Sequence, residues 1–123
     1  QRLFAIKQII KYICHVINQI QERKYMLISN KLILEEFVRK HSRAVKPINK
    51  WVTDVTKATW ATHQDLKDTF PSADYVGNGR YVFNISGNNF RIIAVVLFIG
   101  GILELRFIGT HAEYDKIKDC SEI

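Results

Sequence analysis

Five polar residues in the last third of the chain stand out by type and spacing: Arg91, Arg106, His111, Tyr114 and Asp115. They suit the metal-free cleavage of a phosphodiester beside a 2′-hydroxyl. That reaction needs help in removing the hydroxyl proton and a proton for the departing 5′-oxygen. It also needs a cation to offset the charge that builds on the phosphate. Arg91 opens a run that is apolar from Ile92 to Ile99. Burying it unpaired is expensive, so it must sit at a strand end or project into a cleft. Its planar guanidinium can hold a phosphate with two hydrogen bonds; the plainer alternative is a solvated or salt-bridged arginine. Strand alternation puts Arg106 on one face with Glu104 and Ile108, and turns Leu103, Leu105 and Phe107 toward packed helices. The plain alternative is a surface pair with Glu104. His111 and Tyr114 are three apart and share one side of a helical turn. His111 can exchange a proton near neutrality. Tyr114 can stack on a base, or act as an acid near an arginine that lowers its pKa. Asp115 can orient His111 or an arginine. Which group is acid and which is base stays open. Thr110 and Glu113 also fit a helix cap, with Tyr114 packed on the sheet, and that reading coexists with the chemical one.

A second group consists of RNA-binding candidates: Asn84, Lys46, Lys50, Lys57 and Arg80. Asn84 breaks the alternation between Phe83 and Ile85. The lysines belong to a basic run, Arg39, Lys40, Arg43, Lys46, Lys50 and Lys57, relieved between Arg39 and Lys57 only by Asp54. Such a run suits a salt-sensitive contact with an RNA backbone, or it is simply the solvated side of two amphipathic helices. Asn88 reads as a turn residue, His41 and His63 as surface residues, and Trp51 and Trp60 as core aromatics. Cys14 and Cys120 lie at opposite ends. They form neither metal-ligand spacing nor a disulfide framework, which favours free thiols in a reducing cytoplasm. No metal or cofactor is expected.

The elements that must position these residues follow from periodicity. Met26–Ser29 suits a short strand. Asn30 or Ser29 can cap a helix reaching about His41, with Leu32, Ile33, Phe37 and Val38 inward. Ser42 can cap a helix over roughly Ala44–Ala58, with Pro47 confined to its first turn and Ile48, Trp51, Val52 and Val55 inward. Thr62 can cap a third helix, His63 to Phe70, stopped by Pro71. The pattern then changes to period two. Strands are expected at Tyr75-Val76, Arg80–Ser86, Phe90–Ile99 and Ile102–Ile108, with turns at Gly77-Asn78-Gly79, Gly87-Asn88 and Gly100-Gly101. A final helix should start near His111. Helices followed by an antiparallel meander predict an α+β fold, with the helices on one sheet face.

The chain has 123 residues and a formal charge of +6, which favours anionic partners. Residues 1–25 hold Arg2, Lys7, Lys11, Arg23 and Lys24 against Glu22 alone. Leu3, Ile6, Ile10, Ile13, Ile17 and Ile20 alternate by three and four, which predicts a helix over 3–20 with a heptad seam. A helix this short needs its own domain, a second copy or another protein to pack on. Met26 is the only methionine and Gln1 the first residue. A boundary is expected here, with a helical extension over 1–25 and a compact domain over 26–123. The origin of the extension stays open. The longest apolar run, Ile92 to Leu103, is too short to span a bilayer and is broken by two glycines.

The segments "YVFNISGNNFRIIAVV" and "LRFIGTHAEYDKI", with "ATWATHQDLKDTFPSADYVGNGR" upstream, resemble the HigB-type toxins of the RelE superfamily. The resemblance runs from about Met26 onward. "FNISGN" and "THAEYD" are specific in combination and weak singly. It implies a RelE-like fold, cleavage of messenger RNA on the translating ribosome, and neutralisation by a helix-turn-helix antitoxin. It also strengthens the phosphate-clamp reading of Arg91. Residues 1–25 have no counterpart in the resemblance, and self-association through 3–20 is one role open to them.

Overall fold

The computed structural model describes residues 1–22 and 25–123, without the side chains of residues 18–22. The Ile20 side chain, Arg23 and Lys24 therefore lie outside the described residues.

The heptad segment forms α1, Arg2–Glu22. Its seam is not covered by its own domain: Leu3, Ile6, Ile10, Ile13 and Ile17 are all exposed. No helix among the described residues is long and apolar enough to cross a membrane.

After α1 come β1, Leu27–Ser29, and α2, Leu32–Lys40. Neither Ser29 nor Asn30 caps α2; the helix starts at Lys31 without a side-chain cap. Asn30 instead adopts φ 65° and donates its amide to the Leu105 carbonyl at 2.9 Å. Of the expected inward stripe of α2, Ile33, Phe37 and Val38 pack on the core, but Leu32 is exposed and Leu34 is buried in its place. A 3-10 turn, Ser42–Ala44, precedes α3, Val45–Thr56. Ser42 makes no cap bond to α3, whose N-cap is Ala44. Pro47 falls in the first turn, where its missing N–H costs nothing. The third predicted helix is α4, His63–Thr69, closed by a capping box between Thr62 and Asp65. Two main-chain N–H groups bond to Asp65 and hold its carboxyl below the usual range.

Four strands follow: β2, Asp74–Gly77; β3, Arg80–Ile85; β4, Phe90–Leu97; and β5, Ile102–Thr110. They pair antiparallel in sequence order, and β1 joins β5 in parallel, giving the order β1-β5-β4-β3-β2. The sheet is thus mixed and open within an α+β fold. β4 is its central strand, which explains its nearly continuous apolar sequence. It ends at Leu97, and Ile99 is fully exposed in the following turn.

Alternation builds one core between sheet and helices. Tyr81, Phe83 and Ile85 of β3, Ile92, Ala94 and Val96 of β4, and Leu103 and Leu105 of β5 meet Leu34, Ile48, Trp51, Val55 and Leu66. Trp60 is also buried, with its indole N–H donated to Thr69 at 2.9 Å. Val82 and Ile93 are buried too but belong to the opposite face. There α5, His111–Asp115, and the segment to Ile123 pack against β5, β4 and β2.

Candidate active site

β3, β4 and α5 bring Asn84, Arg91, His111, Tyr114 and Asp115 to one end of the sheet. Arg91 opens β4 between Asn84 of β3 and Gly109 of β5. It is only 9% exposed, yet no carboxylate pairs with it among the described residues. Its guanidinium donates to the Asn88 side-chain oxygen at 3.3 Å and to the Phe90 carbonyl at 3.4 Å. It lies 5.6 Å from the centre of the Tyr114 ring, in cation–π contact. A buried cation held only by neutral acceptors and a ring is an arrangement into which an anion fits. Asn88 does more than shape the turn, because it steers this guanidinium. No sequence signal distinguished that role, since Gly-Asn at a hairpin already had a sufficient local explanation.

α5 is held by two devices. Thr110 accepts from the Glu113 N–H at 3.2 Å, and Glu113 accepts from the Thr110 N–H at 3.0 Å. The His111 N–H donates to the Asn89 carbonyl at 3.1 Å, tying the helix to the β3–β4 turn. His111 Nδ1 stands 2.9 Å from the Asp115 carboxylate, and both side chains are about half exposed. Tyr114 lies against Arg91. Burial and a hydrogen bond with Cys120 push its phenol up to about 12, against the smaller opposing pull of Arg91. Arg91 does pull this pKa down, as expected, but burial and Cys120 outweigh it, and the phenol keeps its proton through the neutral range.

The hydrogen bonds from Thr110 hold the Glu113 carboxyl below its ordinary value of 4.5. Stability from that shift is full above the unfolded value and is lost as pH falls through the depressed folded one. Thr110→Ala should cost about 1 kcal/mol at neutral pH. Urea denaturation across the acid range checks this. The deficit should be largest at neutrality and shrink as Glu113 protonates; an unchanged neutral midpoint would show that the cap does not hold α5.

Arg106 departs from simple alternation. A bulge lies between the Ile93–Phe107 and Ala94–Leu105 pairs. One extra residue reverses the phase of the strand. Ile108 consequently packs on the helical core, and Phe107 pairs across from Ile93 on the other face, contrary to expectation. Arg106 stays with Glu104, at 3.5 Å, and donates through Nε to the Ile123 main-chain oxygen at 2.9 Å. The same oxygen receives a hydrogen bond from Arg80 at 3.4 Å. Arg80 and Arg106 thus converge on the segment that follows α5.

Lys46, Lys50 and Asn84 line a separate groove of about 440 Å³, floored by Trp51 and Phe70. Lys50 is tied there to Asp54 at 2.9 Å. Lys57 caps the far end of α3 and does not line this groove. His41 stacks on Phe37 with ring centres 4.2 Å apart. His63, though exposed, lies 2.6 Å from the buried Tyr81 hydroxyl. Neither histidine is a free surface group. Among the described residues no group of His, Cys, Asp or Glu is placed to hold a metal.

Helices backing one face of an open five-stranded sheet, with arginines and a His–Asp turn at its opposite face, place the chain in the RelE-like class of small α+β proteins. Residues 44–117 match the family model described as HigB_toxin, RelE-like toxic component of a toxin-antitoxin system, and the chain belongs to that family. It is similar to the mRNA interferase HigB of Escherichia coli O6:H1, with 30% identity over 94 residues, covering 75% of this chain and 91% of the relative. The mRNA interferase toxin HigB of Escherichia coli K12 is 38% identical over 64 residues, which cover 50% of this chain and 61% of that relative.

Proposed function

We propose that this chain is the toxin of a toxin-antitoxin pair and an endoribonuclease that cleaves messenger RNA. The observation that carries the reading is Arg91, a buried guanidinium without a carboxylate, flanked by Tyr114 and joined by a turn to the His111–Asp115 pair. Arg91 clamps the scissile phosphate. His111, oriented by Asp115, takes the 2′-hydroxyl proton as the 2′-oxygen attacks phosphorus. Tyr114, protonated at neutral pH, donates to the 5′-oxygen as its bond to phosphorus breaks, and the proton that His111 took returns to Tyr114 through water. The products are a 2′,3′-cyclic phosphate and a free 5′-hydroxyl, and no step calls on a metal. Arg106 and Arg80 hold flanking backbone, with Asn84, Lys46, Lys50 and Lys57 as outer contacts. The toxin acts in the cytoplasm on the translating ribosome, and a helix-turn-helix antitoxin restrains it. In this reading residues 26–123 are the toxin domain and 1–25 an appended helix that offers its seam to a second copy.

Primer extension on messenger RNA from a translating extract tests the activity. The chain should leave new 5′ ends that fade with Arg106→Ala. Binding to ribosomes without any new ends would instead mark a non-catalytic RNA-binding module on the same fold.

A further inference from the structure

The β3–β4 turn has two sides. Through Asn88 it holds Arg91. Its other side, Ser86 and Asn89, forms one wall of an open cavity of about 530 Å³. The facing wall is the end of α2 and the following 3-10 turn, which supply Lys40, Ser42 and Arg43. His41 and Phe90 form the floor, and stacking on Phe37 fixes the His41 ring.

The chemistry of this lining is one-sided. It holds two cations, two hydroxyls and an amide, and no carboxylate. Lys40 and Arg43 enter no ion pair among the described residues. Glu36 and Glu113 line the adjacent cavity, which shares Lys40 and His41 with this one, but among the described residues neither makes an ion pair with Lys40, and Glu113 is already engaged by the Thr110 N–H. Cations left unpaired around neutral donors match a phosphodiester, which accepts hydrogen bonds and carries one negative charge. The cavity also shares the β3–β4 turn with the Arg91 site.

We propose that the Lys40–Arg43 cavity binds a backbone phosphate of single-stranded RNA, one that flanks the phosphate held by Arg91. This rests on the RNA-cleaving reading above. The cavity contributes to positioning and affinity, not to bond breaking. Phosphate contacts of this kind set the register of a strand without reading its bases.

The test uses the full chain and a single-stranded RNA carrying a 2′-deoxy substitution at the cleavage point, titrated over a range of salt. The double variant Lys40→Ala/Arg43→Ala should bind roughly tenfold more weakly. The slope of log affinity against log salt should flatten by about 0.7, the contribution of one phosphate contact on a single strand. Lys7→Ala/Lys31→Ala, which removes the same charge elsewhere, should bind as the parent does. With cleavable RNA the cavity variant should raise KM and leave kcat unchanged. Parent-like affinity and slope in the cavity variant would overturn the proposal while leaving the nuclease reading intact. A parent chain that binds this RNA through Lys40 and Arg43 but never cuts its cleavable form would do the reverse.

Discussion

Arg91→Ala is expected to abolish growth arrest on induction and to slow cleavage by roughly 10²–10³-fold, the usual loss when one preorganised charge-stabilising group is removed. The same substitution should not unfold the chain. Arg91 is a charge taken out of water without an opposite charge to compensate it, and such a group often costs stability. Its removal should leave the melting temperature equal or raised, so lost activity could not be blamed on lost structure. Arg91→Lys keeps the charge but not the planar fork, and should recover only part of the rate. Growth curves, single-turnover cleavage and a thermal melt check all three points. Full-rate cleavage by Arg91→Ala would remove the phosphate clamp from the mechanism.

The opposite division of effects should appear at Phe83. It is 1% exposed and packs its ring edgewise on Trp51 at 5.3 Å and Phe70 at 5.4 Å. Truncating such a residue costs about 3–5 kcal/mol, against a total of roughly 5–15 kcal/mol for a small domain. The urea midpoint of Phe83→Ala should fall by roughly 1 M or more. Phe83 faces the helices, on the sheet face opposite Arg91. Molecules that remain folded in the cold should therefore cleave at nearly the parental rate. A fall in rate per folded molecule would mean that the two sheet faces are more tightly coupled than the alternation implies.

Much of this architecture was legible because its signals are local. Apolar alternation located β3, β4 and β5. Thr62 as a cap marked α4, the Thr110–Glu113 box marked α5, and glycine and asparagine marked the turns. Misreadings arose where distant residues decided the outcome. Asn30 looked like a cap, but a carbonyl 75 positions away claims its amide. Ile108 and Phe107 exchanged faces because one extra residue in β5 opposes β4, and periodicity in a single strand cannot reveal a bulge in a pair. β1 gave no sign that it would pair in parallel. In the site, Arg91 with Tyr114 and His111 with Asp115 lie at short sequence or ladder spacings, so residue types already suggested them. The Tyr114 pKa was misjudged because burial and Cys120 outweigh the arginine beside it. The role of Asn88 was likewise invisible without the geometry.

The parallel pairing of β1 with β5 bears on how the molecule is made. Leu27 meets Ile102, so the first strand of the domain waits for the last before the sheet can close. Long-range pairings of this kind carry a loop-closure cost and form late. Arg106, His111 and Tyr114 come from the same late stretch of chain. During synthesis the helices and β2–β4 emerge first, while β5 and the turn after it are still in the exit tunnel. Neither the fold nor its chemical groups thus exist as a unit until β5 and the turn after it have been made and have joined the sheet.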